Sequence, residues 1–391
     1  MGSPPVTALR AANLTRSLRL LHGQPAGVTR AELARALGCS RSTAAVLVED
    51  LTRAEIVTEI PNSSGKPGRP SARLVSHPKA PVVIALEISV GATSLVEVPL
   101  GSAPKGLVHQ SVESQDLAAV LSSARILLHE RLRALNGRLA GVAIAVHAAV
   151  REDSGRVVAA PGFHGADLDI VEELAVPPDT AIHLDNVANS WASAEAMRGR
   201  LRDASSGLLI HSAVGVGGAF VVDTQPLRGF RNLAGEYGHL PLGTLDLLCR
   251  CGRRDCWETE VDQLALCRRA GITASPATSR TASSAVFRRA AAGDATAARA
   301  VTECATALGL GLGHLVTLHD PEVIVVADHA ADLVAAAPNH VNEALERSTF
   351  AAPIPESLRV HSSELGVTAP LIGISDALFA RLMAAPLELL A

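Results

Sequence analysis

An α/β body behind an N-terminal winged helix-turn-helix is the fold class the sequence predicts, on three observations. The first eighty residues carry short helical stripes joined by a glycine turn, the remainder alternates apolar strand runs with helical ones, and the charge changes sign between the two parts. At 391 residues the chain exceeds one ordinary core and has room for two or three domains. Hydrophobic residues make up 48% and charged residues 19%, which excludes a disordered chain. No apolar run reaches the roughly 18 residues of a membrane span; "PVVIALEISV" comes nearest and carries Glu87. The opening "MGSPPVTALRAANLTRSLRLL" has no signal-peptide stretch ahead of its arginines. A cytoplasmic protein with no membrane partner is expected, where thiols stay reduced and clustered cysteines point to metal rather than disulfides.

Residues 1–80 hold eleven Lys/Arg against five Asp/Glu, a net of +6, which leaves 24 basic and 34 acidic side chains in the rest, a net of −10. A basic module on an acidic body suggests an anionic partner for the first part only. The alternative is that arginine-rich surfaces follow the heavy Ala and Arg usage of the whole chain.

Within the basic part, "LRAANLTRSLRLLHG" places Leu14, Leu18 and Leu21 at helical spacing and ends on Gly23. "TRAELARALG" follows, with Thr29 and Glu32 as a capping box, Leu33 and Leu37 as an apolar stripe, and Gly38 as its stop. "CSRSTAAVLVEDLTRAEIV" then begins a further helix with Ser40 as N-cap. Two short helices across a glycine turn predict a helix-turn-helix. Its second helix presents Arg41, Ser42 and Thr43 at the end that meets base edges in a major groove. "IVTEI" and "ARLVS" read as strands around "PNSSGKPGRP", a wing whose Lys66 and Arg69 would reach phosphates or the minor groove. A helical protein-interaction module with a basic linker is the competing reading.

From residue 80 the elements alternate. "VVIALEIS" and "TSLVEVPL" form a hairpin, "LAAVLSSARILLHERLRAL" a helix, and "LAGVAIAVHAAV" a buried strand. "TAIHLDNVANSWASAEAMRG" runs from strand to helix, and "SGLLIHSAVGVGGAFVV" is two strands about a glycine turn. "AVTECATALGLGLGHLVTLHDPEVIVVAD" is a long helix and a strand, which completes an α/β reading with two lobes.

The sequence of motifs "GATS", "DNVAN…AE", "GVGG", "LAGEYGH", "CRCGRRDCWE" and "DPEVIVV", after a winged helix, resembles the ROK family of repressors, open reading frames and kinases. The likeness is to its xylose-repressor-like transcriptional branch and runs from about residue 10 to 385. "AGEYGH" followed by "CxCGxxxC" is the specific part. The resemblance implies an actin-like ATPase, or sugar-kinase, fold of two lobes around a sugar cleft. Its domains would be a winged helix-turn-helix over 1–78 and an effector domain over 79–391. The smaller lobe would comprise about 79–185 with the C-terminal helix, and the larger lobe about 186–370.

A structural zinc closes four tetrahedral positions with nitrogen and sulfur ligands. Here the set would be His239, Cys249, Cys251 and Cys256, with Arg250, Arg253 and Arg254 moderating three thiolates. Three ordinary core cysteines would not account for a CxC on so polar a loop. Cys39, Cys267 and Cys304 are expected on apolar helix faces in the core. Carried over by motif, the effector contacts would be Asn186, Glu236, His239 and Glu258, whose donors and acceptors suit sugar hydroxyls.

Phosphoryl transfer needs a base at the sugar hydroxyl. The kinases of the family place an Asp in an "NDAN" stretch; this chain has "NVAN", with Val187 at that position and Asp185 a poor substitute. "EISVGATS" replaces a "DxGGTK" opening, His147-Ala148 replaces "PG", and Ala327-Asp328 replaces a glycine pair. The "GVGG" turn at 215–218 remains, though glycine there also serves a tight hairpin. A repressor without enzymatic activity is therefore expected, with His147 and His164 as further polar candidates in the cleft. Its partners would be inverted-repeat operator DNA, a sugar or sugar-derived effector, and further copies of itself as a homodimer or dimer of dimers. The alternatives are a sugar kinase with a DNA-binding tail, with Asp185 or Glu87 pressed into service as its base, and a constitutive DNA binder with a vestigial pocket.

Overall fold

The computed structural model describes residues 6–61, 72–135, 138–151, 154–165, 167–350 and 355–390. Its N-terminal part packs three helices on a three-stranded sheet. Val6–His22 buries Leu14, Leu18 and Leu21; Arg30–Leu37 buries Leu33 and Leu37; Arg41–Arg53 buries Leu47, Val48 and Leu51. The foreseen capping box is present: Thr29 Oγ1 accepts from the Glu32 N–H at 3.2 Å, and Glu32 Oε2 accepts from the Thr29 N–H at 2.7 Å. Gly38 turns the chain at φ 64°, a left-handed C-cap that glycine takes without strain. Ser40 then caps the third helix by accepting from the Thr43 N–H at 3.1 Å.

Val57–Ile60 and Arg73–Ser76 pair antiparallel as the wing's strands. The other edge of Arg73–Ser76 pairs with Val28–Thr29, a strand too short to show a period in the sequence. Lys66 and Arg69, expected on the wing, lie outside the described residues.

The body has two five-stranded sheets. The first runs Ile182–Asn186, Leu139–Val146, Val82–Ser89, Ala92–Pro99 and Lys105–Ser111. Its first three strands are parallel and its last two antiparallel. Strand alternation decides what each face meets. Ile84, Leu86 and Ile88 pack with Leu117–Ala134, while Val83 and Ala85 share a cluster with Leu371, Ile374 and Leu378 of the Ala369–Leu382 helix. That second cluster also contains Leu14, Leu18 and Leu21, so the core of the N-terminal part continues into the body.

The second sheet runs Gln225–Pro226, Gly215–Val222, Ser206–Ala213, Val323–Asp328 and Val360–Ser362. One of its faces packs against the 25-residue helix Ala295–His319. By length and composition this helix is apolar enough to cross a membrane, which corrects the choice of "PVVIALEISV" as the most apolar segment. Here it is the central helix of a core, burying Ala300, Cys304, Leu308, Leu312 and Leu315 completely or nearly so. Gly311 lets Trp257 pass: a Cβ at 311 would lie 2.0 Å from the indole, whose Nε1–H donates to Ala307 O at 2.9 Å.

Candidate ligand cleft and metal cluster

The parallel strands of both sheets end at one cavity of about 550 Å³. Glu87, Asn186, His211 and Asp328 line it from strand ends, and His147 from the loop just past one. Ligands of open α/β sheets bind at the carboxyl ends of strands, so the topology itself points here. Asn186, Glu236, His239 and Glu258, the four expected effector contacts, all line this cavity. His147 lines it too, whereas His164 is exposed and outside it.

Asn186 sits where strand becomes helix. Its Oδ1 accepts from the Ala188 N–H at 2.7 Å, capping the Val187–Arg198 helix, and its Nδ2 donates to Ala148 O at 3.1 Å. Val187 therefore faces the cavity from the helix's first turn. Asp185 does not line the cavity. It is 2% exposed and accepts from Arg228 Nε at 2.9 Å, Asn189 Nδ2 at 2.8 Å and the Asn186 N–H at 2.7 Å. With its oxygens taken by these donors it is an anchor for the loop carrying Arg228. Asn232 of the same loop lines the cavity and donates to Val150 O at 2.8 Å. Neither Arg228 nor Asn232 stood out in the sequence, since isolated polar residues in a loop carry no period.

Glu236 and His239 lie on one short turn, Glu236 Oε2 being 3.8 Å from His239 Nε2. Burial raises the Glu236 carboxyl above its ordinary range; the His239 charge opposes this and Glu258 adds to it. The two nitrogens of His239 divide their tasks. Nε2 faces Glu236, and Nδ1 lies 3.7 Å from Cys249 Sγ.

The ligand atoms of His239, Cys249, Cys251 and Cys256 all fall within 4.8 Å of one another, with the Cys251 and Cys256 sulfurs 3.5 Å apart. Donors about 2.3 Å from a tetrahedral zinc stand roughly 3.5–3.8 Å apart, so this donor set fits a metal ion. Gly252 at φ 86° allows the tight turn in which the Cys249 N–H donates to Arg253 O at 2.7 Å. Burial raises the Cys249 and Cys256 thiols, while hydrogen bonds around Cys251 outweigh its own burial and lower it. A divalent cation would stabilise all three thiolates together.

The three arginines of this loop do different things. Arg253 hydrogen-bonds Cys251 and its charge also acts on Cys256 and Cys249; Arg254 pairs with Asp246 at 3.1 Å. Arg250 donates to Val214 O at 3.1 Å and lies 3.5 Å from Glu258. Arg250 and Arg254 thus also have carboxylate partners nearby. Cys267 and Cys304 are fully buried as expected, but Cys39 is half-buried in the turn after Gly38 rather than on a helix face.

Also on the cavity wall, Glu87 Oε1 meets His147 Nε2 at 3.1 Å, and the His147 and His211 rings stand edge-on at 6.0 Å. Asp328 takes φ 54° and ψ −132°, a backbone region costly for any side chain. Arg280 holds it there with two hydrogen bonds of 3.0 and 2.8 Å. Arg280 was not foreseen.

Away from the cleft, Arg41, Ser42 and Thr43 are exposed at the start of the Arg41–Arg53 helix. Arg41 has no hydrogen-bond or ion-pair partner among the described residues. Ser42 and Thr43 each share a 2.8 Å hydroxyl contact with Ser40, so part of their capacity goes to the cap.

The chain is 24% identical over 320 residues to a putative xylose repressor of Caldicellulosiruptor sp. (strain Rt8B.4), covering 78% of this chain and 80% of that one. In fold it is similar to a ROK family transcriptional regulator that is a homolog of E. coli MLC protein, with a TM-score of 0.74, 19% identity and 97% and 98% of the two chains covered. It is also similar to a ROK family glucokinase of Streptomyces griseus solved with glucose and AMPPNP, with a TM-score of 0.65, 20% identity and 76% and 98% covered. The model of the ROK family itself matches residues 85–380, from the first body sheet to the C-terminal helix, and the chain belongs to that family.

Proposed function

We propose that this ROK protein is a DNA-binding transcriptional repressor that responds to a sugar or sugar derivative held in the cleft, and that it has lost kinase chemistry. The observation that carries the reading is at the strand-to-helix corner: Val187 faces the cavity, and the neighbouring carboxylate, Asp185, is buried against Arg228 outside it. A base must reach the hydroxyl it deprotonates, and Asp185 has neither the access nor a free oxygen. The exposed Arg41, with Ser42 and Thr43, supplies base contacts; Lys66 and Arg69 supply the backbone contacts of the wing.

Asn186, Glu236, His239 and Glu258 bind the effector's hydroxyls. Zinc is the metal that suits three thiolates and one imidazole, and its part is structural: it would order the 239–256 loop and orient His239. Bound through Nδ1, His239 keeps Nε2–H for a ligand hydroxyl. The working boundaries are a winged helix-turn-helix over 1–78 and an effector domain over 79–391. Two such chains, or a dimer of dimers, would read an inverted repeat in the cytoplasm.

Binding of the pure protein to the DNA upstream of its own gene, against random duplex at moderate salt, tests the regulatory half; equal affinity for both would sink it. A coupled ADP-release assay with Mg-ATP across D-glucose, D-xylose and amino sugars tests the other half. No turnover above background is expected. Sugar-dependent turnover above background would establish the kinase alternative instead.

A further inference from the structure

The cavity of about 550 Å³ has two groups of polar lining residues. One group is Asn186, Glu236, His239 and Glu258. The other joins both sheets: Glu87 and His147 come from the first, His211 and Asp328 from the second, and Arg280 from the helix Pro276–Ala291. His211 is 5% exposed, lines the cavity, and has no hydrogen-bond partner among the described residues. A buried imidazole left unpaired against a cavity lacks a partner that a ligand would supply. Gly217, opposite His211 on the neighbouring strand, keeps that ring accessible, since a Cβ there would lie 2.6 Å from His211 Nε2.

The chemistry of this second group selects what fits. Phosphates would meet Glu87 and Asp328, and Arg280 already spends its fork on Asp328. Burial pushes the His211 pKa down to about 3, helped by His147, so the ring stays neutral with one donor and one acceptor. Carboxylates that accept and a neutral imidazole that does both complement hydroxyl groups. They do not complement an anion.

We infer that Glu87, His147, His211, Arg280 and Asp328 form a second carbohydrate subsite, and that the ligand of the cleft is a neutral glycoside of two or more rings. One ring lies at Asn186, Glu236, His239 and Glu258, and the next lies against Glu87, His147, His211, Arg280 and Asp328. The inference rests on the sugar-effector reading and specifies its ligand.

Isothermal titration of the full-length protein with D-xylose and D-glucose, then xylobiose, cellobiose, maltose and chitobiose, tests it. At least one disaccharide is expected to bind about tenfold or more tighter than any single ring. His211→Ala should remove that gain and leave monosaccharide affinity within about twofold. Glu87→Gln, a change of nearly equal size, should weaken the disaccharide in the same selective way if His211→Ala fails to fold. Monosaccharides bound as tightly as every disaccharide would overturn the second subsite and leave the effector reading standing. No carbohydrate binding of either length would overturn both.

Discussion

His22, the last residue of the first helix, donates its Nε2–H to Asp376 Oδ1, 354 positions later, through a buried hydrogen bond of 2.7 Å. The tautomer follows from the other nitrogen, since Nδ1 accepts from the Gly101 N–H at 3.2 Å. Arg198 Nε donates to the second Asp376 oxygen at 2.7 Å. One carboxylate thus ties the N-terminal helix to the C-terminal helix and to the end of Val187–Arg198. Both of these body helices begin at the cleft, with Val187 and Pro370 among its lining residues.

Removing that carboxylate strands a guanidinium and an imidazole in the core. Asp376→Ala is expected to lower stability by about 3–5 kcal/mol, read by urea unfolding. Burial alone would raise the Asp376 pKa, but the hydrogen bonds from His22 and Arg198 outweigh it and hold the carboxyl below its ordinary value. Its contribution is therefore complete above about pH 4, the unfolded value, and is lost as the pH falls further. An Asp376→Ala variant as stable as the parent at pH 7 would show the tie to be inert.

Two buried histidines set a second acid limit. Burial pushes His211 down to about 3 and His329 to about 4. Unfolded, both take protons near pH 6.5, so stability is complete above that value and falls below it by about 1.4 kcal/mol per pH unit for each ring. His329→Leu should lose one of those slopes. Comparing it with the parent at pH 7.5, 6 and 5 (each about one step along the titration) separates the histidine from other acid effects. A constant difference between the two proteins across that range would refute the assignment.

The metal cluster makes a simple prediction. Elemental analysis should find zinc at about one equivalent per chain, and Cys251→Ser should lose it and melt at lower temperature, because metal binding is coupled to folding. Thiols that all titrate freely in the native, metal-free protein would remove the centre.

Arg41→Ala should weaken specific DNA binding by about 1–3 kcal/mol if its guanidinium reads a base, with little change on random duplex. Fluorescence anisotropy on both duplexes separates the outcomes. An equal loss on each would reduce Arg41 to a phosphate contact.

Gly311→Ala tests packing rather than chemistry. With the added methyl only 2.0 Å from the Trp257 ring, the cost should be about 1–3 kcal/mol, seen as a lower melting temperature. An unchanged melting temperature would mean that the Trp257 region repacks freely.

Local patterns made the helix-turn-helix, the hairpin at 82–99 and the CxCGxxxC loop legible in the sequence. A capping box, a period-two strand and a metal knuckle are each complete within about a dozen residues, so their physics needs no distant partner. Val187 was legible as a non-basic residue in the motif for the same reason: the motif is short. What the sequence could not determine is how those pieces face one another. That Asp185 is locked by Arg228, that Arg280 holds Asp328 in a strained turn, and that His211 stands unpaired at the cavity are contacts between residues 43, 48 and more positions apart or across two sheets. The tie from His22 to Asp376 is of the same kind. Burial and charge pairing depend on which surfaces the fold brings together, and no local spacing encodes them.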